Sequence, residues 1–275
     1  ILYVLLQAVQ EGHMYLPGSI LLEKASELLG VEEQHIEPQI SNLAMDRKLV
    51  VKKPSPEAEI QVFAANYYYA ELNCARMLLQ LNIPMEGDGE LLPAQEEGIR
   101  KRIRTITQEA ELELDALQEK AVLECVKNGV FVLSGGPGTG KTTTINTIIR
   151  FFEAEHLDIF LAAPTGRAAK RMTETTGYEA RTIHRMLELT GYPGEDGAKN
   201  IRFEKNEENP LEADVIIIDE MSMVDIILMN YLSKAISEKT RLVLIGDSDQ
   251  LPSVGARKCI KRFNRFWENS NSKIN

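Results

Sequence analysis

One short stretch holds the residue types and spacing that could do chemistry. Gly135 to Thr142, GGPGTGKT, fits the phosphate-loop spacing GxxxxGK[ST]. It follows an apolar run (FVLSG, 131–135) and precedes a helical pattern (143–152), so it sits between a strand and a helix as such a loop must. Its glycines let successive backbone N–H groups turn inward on phosphate oxygens, and the helix N-terminus adds partial positive charge. On this reading Gly135, Gly136, Pro137, Gly138, Thr139, Gly140, Lys141, Thr142 and Thr143 line a nucleotide site. Lys141 would reach the β- and γ-phosphates of ATP, and Thr142 would offer its hydroxyl to Mg2+.

A second run, VIIIDE (215–220), ends in two acids. Asp219, closing a buried strand, suits a Mg2+-linked carboxylate. Glu220 suits the base that orients an attacking water, and the Asp-Glu pair favours a hydrolase over a kinase. In a third run, LVLIGDSDQLPSVG (242–255), the Gln250 amide lies past a strand end, where it could bond both the γ-phosphate and that water.

Together GGPGTGKTTT, DEMSMVD and GDSDQLPSVG resemble motifs I, II and III of superfamily 1 helicases, in the RecD-like branch typified by the exodeoxyribonuclease V alpha subunit. Leu117-Gln118 resembles the family's Q motif, which implies that Gln118 reads the adenine edge; a solvated helix glutamine is the alternative. APTGRAAKRM (163–172) resembles motif Ia, which implies contacts to single-stranded DNA from Pro164, Thr165, Gly166 and Arg167. TIHRML (182–187) resembles the segment after it, with His184 either a structural or a DNA-contacting residue. The resemblance implies an ATP- and Mg2+-dependent 5′–3′ DNA helicase of the cytoplasm, with single-stranded DNA and recombination or repair proteins as partners. It also implies a second RecA-like domain in cis, holding the arginine finger of the ATP site.

The elements that must position these residues follow from texture. The runs 131–135, 158–164, 213–220 and 241–247 are apolar on both faces and separated by helical stretches, as central strands of a parallel sheet require. The expected fold is α/β: a P-loop RecA-like domain over 115–255, preceded by a winged-helix-like unit (1–65) and a helical connector (66–114). In the first unit Ser19 is expected to cap a helix ending at Gly30, and Pro38 to fall near the first turn of the next. LVVKK (49–53) and IQVFA (60–64) read as a hairpin.

Residues 1–53 carry five Lys/Arg against seven Asp/Glu, a net of −2. That count favours a spacer or protein-contact role over DNA reading. The tyrosine triplet 67–69 could stack on bases, but consecutive helix positions face different sides and packing is favoured for most of them. Arg100, Lys101, Arg102 and Arg104 make a basic cluster, read either as a solvated helix face or as a phosphate contact.

Composition bounds the rest. The 275 residues carry a net charge of −10, which excludes a uniformly basic DNA-coating protein but not a local basic stripe. No apolar run is long enough for a membrane span, and the start lacks the features of a signal peptide. Three separated cysteines (Cys74, Cys125, Cys259) read as buried free thiols. The first residue is Ile1 rather than Met, which reads as a start inside a longer protein. The tail after Gly255 is basic, aromatic and asparagine-rich, unlike the family. With AT-rich codons, a one-base shift of frame turns it into GNVLKDLIDSGKIQIVKL, which resembles the helix and strand expected after motif III. Residues 256–275 read either as a divergent terminal helix or, the favoured reading, as a frameshift product that truncates the motor.

Overall fold

The computed structural model describes residues 1–82, 93–136, 138–190 and 202–247. Its amino-terminal unit runs α1 (Leu2–Gln10), β1 (Leu16–Pro17), α2 (Gly18–Leu29), α3 (Glu33–Met45), β2 (Leu49–Lys52) and β3 (Gln61–Ala64). The three strands pair antiparallel in the order β1-β3-β2, with Val50 opposite Phe63 and Lys52 opposite Gln61. Leu16, Leu49, Val62 and Ala64 face the helices and join Leu5, Leu21, Ala25 and Ile40 in one core.

Two local expectations need correction. Ser19 does not cap α2: it lies within the first turn, and its backbone N–H donates to Glu59 Oε1 at 2.6 Å. The orphan donor is met from across the unit rather than by a neighbour. Pro38 lies in the second turn of α3, because that helix already begins at Glu33. Lacking an N–H, it removes one i→i−4 bond from the helix. Gly30 ends α2 in the left-handed conformation (φ 66°), as expected.

Two long helices follow, α4 (Ala65–Leu81) and α5 (Pro93–Glu109). The arginines of α5 are engaged by acids. Arg100 pairs with Glu96 (2.9 Å) and Glu119 (3.6 Å), Arg102 with Glu155 (2.6 Å) and Arg104 with Glu119 (3.4 Å). Arg100, Arg102 and Arg104 thus tie α5 to its neighbours.

The remaining strands are β4 (Val130–Ser134), β5 (Ile159–Ala163), β6 (Ala180–Thr182), β7 (Val215–Ile218) and β8 (Arg241–Gly246). They form one parallel sheet in the order β4-β8-β7-β5-β6. Around it lie α6 (Ala116–Lys127), α7 (Lys141–Ala154), α8 (Gly166–Thr176), the short α9 (Ile183–Met186) and α10 (Ile226–Ala235), with a 3-10 turn at Met221–Met223. Alternation sorts the strands onto two cores. Ile216, Ile218, Leu242 and Leu244 pack toward α4 and α10, while Val215, Ile217, Val243 and Ile245 pack toward α5, α6 and α7. This is the expected P-loop RecA-like α/β sheet. β6 had no sequence signal, because three partly exposed residues, Ala-Arg-Thr, make no apolar run.

Burial pushes the thiols of Cys74 and Cys125 up to about 12, so both stay protonated and inert. Cys259 and the whole tail lie outside the described residues. No helix among the described residues is long and apolar enough to cross a membrane.

Candidate nucleotide and DNA site

Parallel strands deliver their carboxyl ends to one edge of a sheet, and that edge gathers the candidate chemistry. β4 leads into the loop 135–140, and α7 begins at Lys141, two residues earlier than the pattern implied. Gly138 and Gly140 take φ of 79° and 74°, a region that costs other residues energy. A Cβ on Gly135 would meet Thr139 Oγ1 at 2.8 Å, so the loop closes tightly on itself. Thr139 Oγ1 donates to the Gly136 carbonyl (2.9 Å), and Lys141 Nζ donates to the carbonyls of Gly136 (2.8 Å) and Gly135. Thr142 is exposed and Thr143 half-buried in the first turn of α7. Pro137 lies outside the described residues.

Gln118 reaches this loop from the start of α6. Its Oε1 accepts the Asp115 N–H (2.9 Å), while Asp115 Oδ1 accepts the N–H groups of Leu117 (2.8 Å) and Gln118 (2.9 Å), a reciprocal capping box. Its Nε2 lies so near Gly140 that a Cβ there would stand 2.0 Å from it. Cap, glutamine and phosphate loop are thus one contact, with the amide oxygen committed to the cap.

Asp219 and Glu220 leave the end of β7. The Asp219 N–H donates to Ala162 (3.0 Å), and its Oδ1 accepts the Glu220 N–H (2.8 Å). Glu220 adopts φ 54°, a left-handed backbone that a side chain enters at a cost of roughly 1–3 kcal/mol. Burial holds the Asp219 carboxyl above its ordinary range, offset by the Glu220 N–H, Arg171 and Lys141. Burial also raises Glu220, with Asp219 adding to the rise and Arg171 and Lys141 opposing it. Two desolvated acids beside an ammonium form a site that gains from a cation.

Thr142 offers a hydroxyl and Asp219 a carboxylate, the kind of oxygen donors that Mg2+ takes together with waters and phosphate oxygens. No cluster of three or more His, Cys, Asp or Glu among the described residues could cage a metal by itself. Gln250 lies outside the described residues.

Beside β5, Pro164 and Thr165 are half-buried, whereas Gly166 and Arg167 are exposed at the start of α8. Thr165 Oγ1 caps that helix by accepting the Ala168 N–H (3.2 Å) and keeps its own proton to donate. The His184 ring packs against Phe203, with centroids 6.0 Å apart, and Phe203 packs in turn on Tyr231.

Two residues at the site escaped the sequence reading. Arg171 stands 3.9 Å from Glu220, and Asp247, buried at the end of β8, adds a small upward push on Glu220. Arg171 lies four residues beyond Arg167 on α8, so helical spacing alone puts both on one face.

A family model for an AAA domain matches residues 118–256. The ATP-dependent RecD2 DNA helicase of Deinococcus radiodurans is 32% identical over 266 residues, covering 91% of this chain and 34% of its own length. The RecBCD enzyme subunit RecD of Mycobacterium tuberculosis is 39% identical over 164 residues, covering 50% of this chain and 27% of its own. A crystal structure of Pif1 helicase from Bacteroides, in complex with ADP-AlF3 and ssDNA, is 26% identical over 55% of this chain and 37% of its own, with a TM-score of 0.34. The chain spans about a third or less of the length of these curated relatives. It belongs to the AAA-domain family and, over the span they share, is similar to the RecD and RecD2 helicases.

Proposed function

We propose that this chain is the front part of an ATP-dependent 5′–3′ DNA helicase motor. The carrying observation is the phosphate loop with Lys141 beside Asp219 and Glu220, whose carboxyls are both affected by the Lys141 charge. In this reading residues 115–255 are the first RecA-like domain, 66–114 a helical connector and 1–65 a winged-helix-like unit. Mg2+, when bound, would neutralise charge between the β- and γ-phosphates. The chain's own groups do the rest. The loop N–H groups and Lys141 hold the phosphates, Thr142 and Asp219 hold the ion, and Glu220 orients the attacking water. Gly166, Arg167 and Thr165 would meet a DNA backbone at the start of α8, the end that attracts anions.

A second reading treats the chain as a nucleotide-binding fragment without useful turnover, its amino-terminal unit a docking module. An arginine finger supplied by a second domain contributes roughly 10³–10⁵ in rate in related enzymes.

The test compares ATP hydrolysis with and without single-stranded DNA, for this chain and for a chain that adds a second RecA-like domain. DNA-stimulated hydrolysis that requires Lys141 supports the motor. Nucleotide binding without hydrolysis in either chain would leave the second reading.

A further inference from the structure

The amino-terminal unit is acidic in total, but its charges are separated. Of its basic residues, Arg47, Lys48, Lys52 and Lys53 all lie on β2 or beside it. The acids lie elsewhere. Glu23 and Glu27 are on α2, Glu33 and Glu37 on α3, and Glu11 pairs with Lys24 at 3.8 Å. Asp46 is the local exception, 3.5 Å from Lys48. Glu57 and Glu59, in the connection to β3, are both exposed acids, and Glu59 accepts the Ser19 N–H. A net of −4 over residues 1–65 thus conceals a cationic strand.

That strand borders an aromatic ladder. Alternation turns Leu49 and Val62 to the core and Phe63 and Lys52 to the opposite face. On that face Tyr15 packs on Phe63 (centroids 5.2 Å), Phe63 on Tyr68 of α4 (5.2 Å) and Tyr68 on Tyr69 (5.4 Å), the last two contacts edge-on. Lys52 Nζ lies 5.4 Å from the Tyr68 ring centre. The triplet therefore divides its labour: Tyr67 is half-buried against the cores, Tyr68 is locked in the ladder, and Tyr69 is 53% exposed.

We propose that Tyr69, Tyr68 and Lys52 form a second contact for single-stranded DNA, separate from the start of α8, with Lys53, just past the end of β2, adding to its charge. An exposed ring offers a stacking face to any base, and adjacent lysines offer charge to the phosphates on either side. The ladder holds the rings before a strand arrives, so little side-chain freedom is lost on binding. The choice of DNA over another polyanion rests on the proposed function; the stacking geometry does not.

The experiment is fluorescence anisotropy of labelled dT20 against the 275-residue chain without nucleotide, over a range of salt. Tyr69→Ala should weaken binding roughly 5- to 150-fold, and Tyr69→Phe, which keeps the ring, should bind like the parent. Lys52→Ala with Lys53→Ala should reduce the slope of log affinity against log salt by about 1.4. Circular dichroism confirms that each variant is folded. No binding of dT20 by the parent, or parent-like binding by both Tyr69→Ala and the double lysine variant, overturns the proposal. Arg167→Ala separates the two sites. Loss confined to Arg167→Ala leaves the α8 contact standing and removes this one, and loss confined to the tyrosine and lysine variants does the reverse.

Discussion

Arg171 Nη1 on α8 lies 3.9 Å from Glu220 Oε1 at the end of β7, so the helix that begins with the candidate DNA contacts touches the candidate water-orienting acid. The arginine is largely exposed, and such a pair is worth less than about 1 kcal/mol to stability. Its value lies in position. Movement of α8 on a strand would carry Arg171 toward or away from Glu220. Arg171→Ala should leave the melting temperature and nucleotide affinity unchanged and lower the DNA-stimulated part of hydrolysis by about 5-fold or more. Arg171→Lys should restore part of it. Unchanged stimulation in Arg171→Ala would disconnect the helix from the acid.

Lys141→Ala should remove nucleotide binding and spare the fold. Among the described residues the ammonium donates to loop carbonyls, and its loss leaves the phosphate charges unmatched. Loss of such a donor typically costs 10²–10³ in turnover. Calorimetry with an ATP analogue and a thermal melt give the two readouts, and parent-like hydrolysis would refute the site.

Glu220→Gln should keep nucleotide and Mg2+ binding while lowering hydrolysis about 10²- to 10⁴-fold, the usual contribution of a positioned acid or base. The comparison is best made with a second motor domain supplied in cis. Equal loss of binding and turnover would make Glu220 a metal ligand or a structural group.

Asp219→Asn should stabilise the empty protein. Burial raises the folded-state pKa of Asp219, so the folded state holds its proton at pH values where the unfolded chain has lost it. Stability therefore falls as pH rises from the ordinary aspartate range through the raised value, and the cost persists at neutral pH. Asparagine carries no charge to desolvate and can still accept the Glu220 N–H. A gain of about 0.5–2 kcal/mol at neutral pH, with a flatter pH dependence and lost Mg2+ dependence of nucleotide binding, is expected. Denaturant melts across pH measure it, and a less stable variant would contradict the assignment.

Gly140→Ala should disturb two structures at once. The new Cβ needs φ 74° and meets the Gln118 amide, whose oxygen is tied to the Asp115 N–H. Stability should drop by about 1–2 kcal/mol. Adding Gln118→Ala should recover part of the steric cost, so a double-mutant cycle should show coupling between the two sites. Strict additivity would place the glutamine away from the loop.

The central strands were legible because burial on both sides demands unbroken apolar runs, and 215–218 and 241–246 have them. The phosphate loop and the Asp219–Glu220 pair were legible for a similar reason, since each is local in the chain. What escaped joins distant segments. Ser19 resembled a cap, but its neighbourhood in sequence does not contain Glu59. Gln118 against Gly140 and Arg171 against Glu220 depend on how α6 and α8 are rotated on the sheet, and no short window encodes a rotation. The net charge of residues 1–53 does not show the basic strand because a sum discards position.

The strand order also constrains the protein's birth. β4 carries the phosphate loop, yet its partner among the described residues is β8, so 130–134 must wait for 242–246. A ribosome adding ~5–20 residues per second would leave β4 without that partner for roughly 5–20 s. During that interval an apolar strand and the loop it aims stand open to chaperones and proteases. A stall or stop codon ahead of β8 would yield a chain whose phosphate loop is spelled correctly but has no neighbouring strand to hold it in place.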